Sequence, residues 1–273
     1  MRNSYGRRVI KPRGTLRKLK DYGGVIHDFD RMPSKVEEYG TPAAIFSESG
    51  TVSNLFWRGS EEGVHVGSRT KFSGRERRKP YKRIHVEFEG LYCDEFGEDG
   101  FTIDPLGKAT IRRCGFRGRS DKGANGDRPG EDKFGQIDGG WLVLDGDPVD
   151  ERVFERCVRA LRGKANSVLD IRRADFTRCR EAIKGDGDDN PKKGNPFFNG
   201  RAGPCLVWIG KEVRFWDVET SLFADSGCRI HVEKEAEVGK TRTTGGGKIL
   251  RGSSRSKFED EVRRMMSRKS NGW

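Results

Sequence analysis

Ile111-Arg-Arg-Cys114, Phe154-Glu-Arg-Cys157 and Phe176-Thr-Arg-Cys179 share one pattern: an apolar residue, two intervening residues, then cysteine. The six cysteines, Cys93, Cys114, Cys157, Cys179, Cys205 and Cys228, follow one another at intervals of 21, 43, 22, 26 and 23 residues, and 43 is close to two periods. A fixed period in the range of roughly 20–50 residues marks a repeat architecture. A coil that returns the chain to the same place every ~22 residues suits a parallel β-helix, at the low end of that range. Such a rod exposes one long sheet face, the kind of surface that binds linear polymers.

Outward from these cysteines, from about residue 40 to 232, short apolar runs alternate with Gly- and charge-rich turns. Ala43-Ala-Ile-Phe46, Leu55-Phe-Trp57, Ile84-His-Val-Glu-Phe88, Phe101-Thr-Ile103, Trp141-Leu-Val-Leu144, Leu206-Val-Trp-Ile209 and Val213-Arg-Phe-Trp216 are three to five residues long. That length fits β-helix strands and is too short for helices. Near the N-terminus Val9-Ile10 before Pro12-Arg-Gly14 reads as a strand and a turn. Two turns, about 66–82 and 184–204, are much longer than the rest and are expected to border a binding groove. The cysteines, never within four residues of one another, match no zinc or redox motif. On adjacent coils ~4.8 Å apart they could form either disulfides or a column of small buried thiols.

Only 33% of the 273 residues are hydrophobic, while 35% are charged and 37 are Gly. That is poor for a two-layer globule and adequate for a solenoid, whose core is a thin column. The net charge of +12 implies an acidic partner. No run of about 18 apolar residues is present, so no membrane span or membrane partner is expected. Met1-Arg-Asn-Ser-Tyr-Gly-Arg-Arg8 lacks the apolar region of a signal peptide. The basic N-terminal arm has no aromatic stacking array, which argues against nucleic acid.

The chain divides at about residue 235 into a β-helix domain (1–235) and a basic tail (236–273). Lys240 to Lys248 reads as a Gly/Thr/Lys linker. Beyond it Phe258, Val262, Met265 and Met266 fall on one face of a helix. That helix would either cap the open end of the solenoid or dock onto a partner. Gly239-Lys-Thr241 lacks the upstream glycine of a phosphate-binding loop, and Asp186-Gly-Asp-Asp-Asn190 lacks the glycine and glutamate of a calcium loop.

One charged constellation remains. From Glu62 to Asp99 to Lys133 to Arg159 the offsets are 37, 34 and 26 residues. In a coil of ~22 residues with an insertion at 66–82, these positions can align as a stripe up one face. Carboxylates stacked ~4.8 Å apart repel unless a cation joins them, and hard oxygen ligands suit Ca²⁺. The other reading is a solvated charged face paired by salt bridges.

The order and spacing of several segments resemble the small calcium-dependent pectate lyases. The likeness runs from about Val9 to about Ile230 and includes Val9-Ile-Lys-Pro-Arg-Gly14, Asn54-Leu-Phe-Trp57, Gly63-Val-His65, Gly97-Glu-Asp99, Asp132-Lys-Phe-Gly-Gln-Ile137 and Arg159-Ala-Leu-Arg162. The resemblance implies an all-β fold, a right-handed single-stranded parallel β-helix, with the basic linker and helix appended. It implies Ca²⁺ as cofactor, held by Glu98 and Asp99, with Glu62 where the family has Asp and Glu95 as a weaker further contact. It implies that Lys133 acts on the substrate, with Arg162 at the family's arginine and Arg159 where Lys is usual. By that likeness the chain is a lyase of polygalacturonate-like anionic polysaccharides, extracellular in location.

Cleavage by β-elimination removes the C5 proton of a uronate while negative charge builds on the adjacent carboxylate. A bound cation stabilises that charge as a Lewis acid, and a guanidinium grips the carboxylate through two parallel hydrogen bonds. Lys133 beside two arginines is the better base, because like charge lowers its pKa and arginine stays protonated. The competing expectation is a non-catalytic virion protein, a phage head-surface or tail β-helix whose basic tail docks on an acidic shell. Fold does not choose between them.

Overall fold

Strands taken in chain order alternate between two parallel sheets, as expected when a chain winds into a β-helix, except at one point where two consecutive strands share a sheet. The computed structural model describes residues 8–10, 25–28, 42–46, 49–58, 62–67, 83–96, 99–105, 107–118, 133–145, 154–155, 158–187 and 203–270. The strands run β1 (Arg8–Ile10), β2 (Val25–Asp28), β3 (Pro42–Phe46), β4 (Gly50–Arg58), β5 (Glu62–Val66) and β6 (Ile84–Phe96). They continue as β7 (Asp99–Ile103), β8 (Gly107–Gly118), β9 (Lys133–Ile137), β10 (Trp141–Asp145), β11 (Phe154–Glu155), β12 (Arg159–Gly163) and β13 (Val168–Thr177). The last windings use β14 (Glu181–Asp186), β15 (Leu206–Trp216), β16 (Thr220–Asp225), β17 (Arg229–Val232), β18 (Thr241–Thr243) and β19 (Lys248–Arg251). The nine-stranded sheet is β1-β3-β5-β7-β9-β12-β14-β16-β18. The ten-stranded sheet is β19-β17-β15-β13-β10-β8-β6-β4-β2, with β11 as its tenth strand, pairing β13 and β8 beside β10. The all-β parallel β-helix expected from the spacing is the fold observed.

Strands of the second sheet are longer than the sequence runs suggested, up to 13 residues in β6. Register shifts between Phe88 and Glu89, Leu144 and Asp145, and Ile171 and Arg173 divide them into two arms. An extra residue bends a strand and strengthens its twist, so each long strand turns a corner. Winding length varies widely. Partners are 19 residues apart at Leu222 and Thr241 but 39 apart at Ile183 and Leu222.

The core is a set of ladders of register partners. Val52, Phe88, Ile111, Leu144, Ile171, Ile209 and Val232 stack in turn inside the second sheet, all nearly inaccessible. A ladder in the first sheet shrinks along the rod, from Phe46 through Val66, Ile103 and Ile137 to Gly163, Gly185 and Ala224. Two glycines are required there. A Cβ on Gly163 would stand 2.5 Å from Cys205 Sγ, and one on Gly185 would stand 2.1 Å from Cys228 Sγ. These thiols, together with those of Cys114 and Cys179, are buried and not in disulfides. Cys93 and Cys157 side chains lie outside the described residues.

The cysteines do not form the single column that their shared local pattern suggested. Phe116, not Ile111, is the register partner of Phe154, and Phe154 in turn pairs with Phe176. Cys114 is therefore level with Leu91, inside the sheet, whereas Cys179 lies just beyond the end of β13. Cys205 and Cys228 precede β15 and β17 at a different corner.

The stretch read as a linker adds a further winding. β18 pairs with β16 and β19 with β17, joined by a turn in which Gly245 and Gly246 take φ of 54° and 82°. Glycine there serves a left-handed turn rather than chain freedom. The helix that follows, α1 (Arg255–Ser270), lies on the flank of the second sheet rather than over the rod's end. Its Phe258, Val262 and Met265 pack with Val168, Leu206 and Trp208, which alternate along β13 and β15 with core residues Leu169 and Val207. Ser254 Oγ accepts the Lys257 N–H at 3.4 Å, as a helix N-cap does.

His231 is sealed beneath this helix with no exposure. Its Nδ1 is 3.2 Å from Ser253 Oγ, its Nε2 is 3.5 Å from Glu261 Oε2, and its ring meets Phe258 edge-on. Burial holds its pKa below the ordinary value, helped by Lys257 and Arg229 and opposed by Glu261. The unfolded imidazole takes up a proton below about pH 6.5 that the folded one refuses, so stability is lost as pH falls through and below that value. His85, also depressed by burial, adds to the same trend. Thermal unfolding between about pH 8 and about pH 5 should show a falling Tm, with a shallower slope in His231→Gln. An unchanged slope in that variant would contradict the assignment.

Candidate functional site

The first sheet places Glu62, Asp99, Lys133 and Arg159 at one level on four neighbouring strands. Glu62 is the Cα partner of Asp99, Asp99 of Lys133, and Lys133 of Arg159. Each of them opens its strand, Glu62 in β5, Asp99 in β7, Lys133 in β9 and Arg159 in β12. The level continues to Glu181 and Thr220. Read along the rod, the charges run acid, acid, base, base, acid, at the ~4.8 Å spacing of neighbouring strands.

Asp99 is buried. Glu98 lies outside the described residues, and only the backbones of Glu62, Glu95 and Lys133 are described. Glu95 belongs to β6 of the other sheet, so it does not share the line. Among the described residues no three carboxylate, imidazole or thiol groups gather as a metal site.

Both arginines of the expected site are held by carboxylates of the next winding. Arg159 reaches Glu181 Oε2 with Nε at 2.7 Å and Nη2 at 2.6 Å, and both side chains are mostly buried. Arg162 sits three residues further along its strand, level with Gln136, Thr102 and His65. Its Nε donates to Asp186 Oδ2 at 2.6 Å. Lys184 Nζ approaches Asp186 Oδ1 at 3.0 Å and Asp225 Oδ2 at 3.7 Å. Asp225 accepts a 2.6 Å hydrogen bond from Thr244 Oγ1, the leading reason its pKa lies below the ordinary carboxylate value. Lys184 and Arg242 both stand over the Phe223 ring. Further up the sheet His65 Nδ1 lies 3.4 Å from Asp104 Oδ2, both largely buried.

Sequence reasoning missed Glu181, Lys184, Asp186 and Asp225. The signal was available: Glu181 stands 22 residues after Arg159 and Asp186 stands 24 after Arg162, about one period in each case. A guanidinium has five donor hydrogens, so an ion pair leaves others to meet a ligand carboxylate. The arrangement can therefore hold anions while its own carboxylates fix the cations in place.

No helix of the described residues is long and apolar enough to cross a membrane. Comparison of the chain with protein-family profiles, curated proteins and solved structures gives no match.

Proposed function

We propose that the chain is a pectate lyase-like protein that binds an anionic uronate polymer along the nine-stranded sheet and cleaves it by β-elimination. The observation that supports this most is the common level of Glu62, Asp99, Lys133 and Arg159, four separated residues of the resemblance brought side by side. Arg162 and Arg159 would orient substrate carboxylates through donors their ion pairs leave open. Lys133 would take the C5 proton, and the C–H electron pair would form the ring double bond as the C4 glycosidic oxygen leaves. Glu62, Glu98 and Asp99 would hold Ca²⁺, which when bound supplies Lewis-acid charge and offsets the acidic field beside Lys133. An extracellular setting follows from the same resemblance.

Ultraviolet absorbance of unsaturated uronate on mixing the protein with polygalacturonate and Ca²⁺ at alkaline pH tests the reading. Lys133→Ala should slow product formation by about 10²–10⁴-fold, the usual contribution of a positioned general base. No product from the unaltered chain would reject the lyase. It would favour a non-catalytic β-helix of a virus particle, a reading favoured by one observation: Glu181 and Asp186 already neutralise both arginines, as a purely structural charge ladder would.

A further inference from the structure

We propose that a second site, away from Lys133, binds one pyranose ring of a polysaccharide in a cleft built by the turns after β13 and β15. The cleft has a volume of about 540 Å³. Arg178 and Arg180 of one turn and Asp217 and Glu219 of the other line it, with Ser221 and Gly239. Ser221 is 1% exposed, and its backbone N–H is spent on Lys240 O at 2.8 Å. A Cβ added to Gly239 would stand 2.9 Å from Ser221 Oγ and meet nothing else within 4 Å. Gly239 does not take a positive φ, so its backbone does not demand glycine. What the missing side chain does is leave the space in front of a buried hydroxyl open.

The lining selects its ligand. Guanidinium groups only donate, carboxylates only accept, and a serine hydroxyl does both. Ring hydroxyls of a sugar also do both, so each can find a complement here. Two cations and two anions cancel, which removes the long-range field a small ion would need. Arg180 Nε is 3.8 Å from Glu219 Oε2 and both are about two-thirds exposed (66% and 63%), so their pairing exchanges readily for ligand hydroxyls. Phe215 is the aromatic residue of the lining, and Trp216, 56% exposed, adjoins it in sequence without lining the cleft. Arg178 N–H donates to Trp216 O at 3.0 Å, tying the two turns together.

The cleft also continues the charged line. Arg180 and Glu219 immediately precede Glu181 and Thr220, which are level with Lys133 and Arg159. Three windings separate Lys133 from Thr220, about 14 Å along the rod at ~4.8 Å each. A polymer lying on the line reaches the cleft. This course, though not the ring contacts, rests on the function proposed above.

Titration of the full chain with trigalacturonate and, separately, with neutral galactotriose, read by calorimetry and tryptophan fluorescence, tests the site. Gly239→Ala and Arg180→Ala should each weaken binding by about tenfold or more while circular dichroism stays unchanged. The sugar that binds reports whether the ring carries a carboxylate. Equal affinity in both variants and the unaltered chain overturns the proposal, and so does failure of both sugars to bind. Uronate product is scored independently. Affinity lost in the variants without any product leaves the cleft standing and ends the lyase reading; product with affinity untouched does the reverse.

Discussion

Arg255→Ala should destabilise the protein by about 3–5 kcal/mol, the usual cost of leaving a buried charge without its partner. Asp170 has no exposure. Arg255 bonds both its oxygens, with Nη1 at 2.5 Å from Oδ1 and Nη2 at 2.7 Å from Oδ2. Truncation leaves that carboxylate to Arg172, a side chain 45% exposed that reaches only Oδ2, at 3.0 Å and 3.2 Å. The same guanidinium lies over the rings of Trp208 and Phe258, so the change also loosens the aromatic seat of α1. Hydrogen exchange should show faster amides across 255–270, with a lowered Tm. An Asp170→Leu, Arg255→Met double variant should recover much of the loss, because paired apolar replacement removes both desolvated charges. A single variant as stable and as protected as the parent would refute the docking described for the helix.

Phe176→Ala should cost about 3–5 kcal/mol, as truncations of buried aromatics do. The ring has no exposure and stacks on Phe215 with centroids 5.4 Å apart and planes 13° from parallel. Through β11 its level continues to Phe154 and Phe116. Neighbouring windings cannot close over the gap, since hydrogen bonds hold them at the ~4.8 Å strand spacing. The unfilled volume therefore persists, and the loss falls at the high end of what transfer alone would give. Urea unfolding should show a lower midpoint with an unchanged m value. A loss of under about 1 kcal/mol from that midpoint shift would mean that the ladder can collapse.

The winding was legible in the sequence because short apolar runs between turns leave few other folds, but the level shared by Glu62, Asp99, Lys133 and Arg159 needs a second insertion between Asp99 and Lys133, whose 34-residue offset also exceeds one period. The cysteine pattern misled in detail. Its three-residue motif is local, whereas alignment of windings is set by bulges such as that between Ile171 and Arg173, which no local motif reveals. Lys240 to Lys248 looked like a linker because glycine marks both free chain and left-handed turns. The periodicity of α1 was plain, but its seat was not, although a clue existed. Leu206-Val-Trp-Ile209 is apolar without alternation, the mark of a strand covered on both faces. The ion pairs of Arg159 and Arg162 depend on which side chains meet across windings, and the chemistry of Glu62, Glu98 and Lys133 depends on details of their side chains beyond the described residues.

The shrinking ladder from Phe46 to Gly163 and Gly185 makes the windings non-interchangeable. A segment duplicated from the Phe46 end and spliced beside Gly185 would collide with the Cys228 sulfur; one copied the other way would open a void under Val66. Lengthening such a rod by tandem copying, the easy route in uniform arrays, is closed to this one, so its length is written into the graded bulk of its interior.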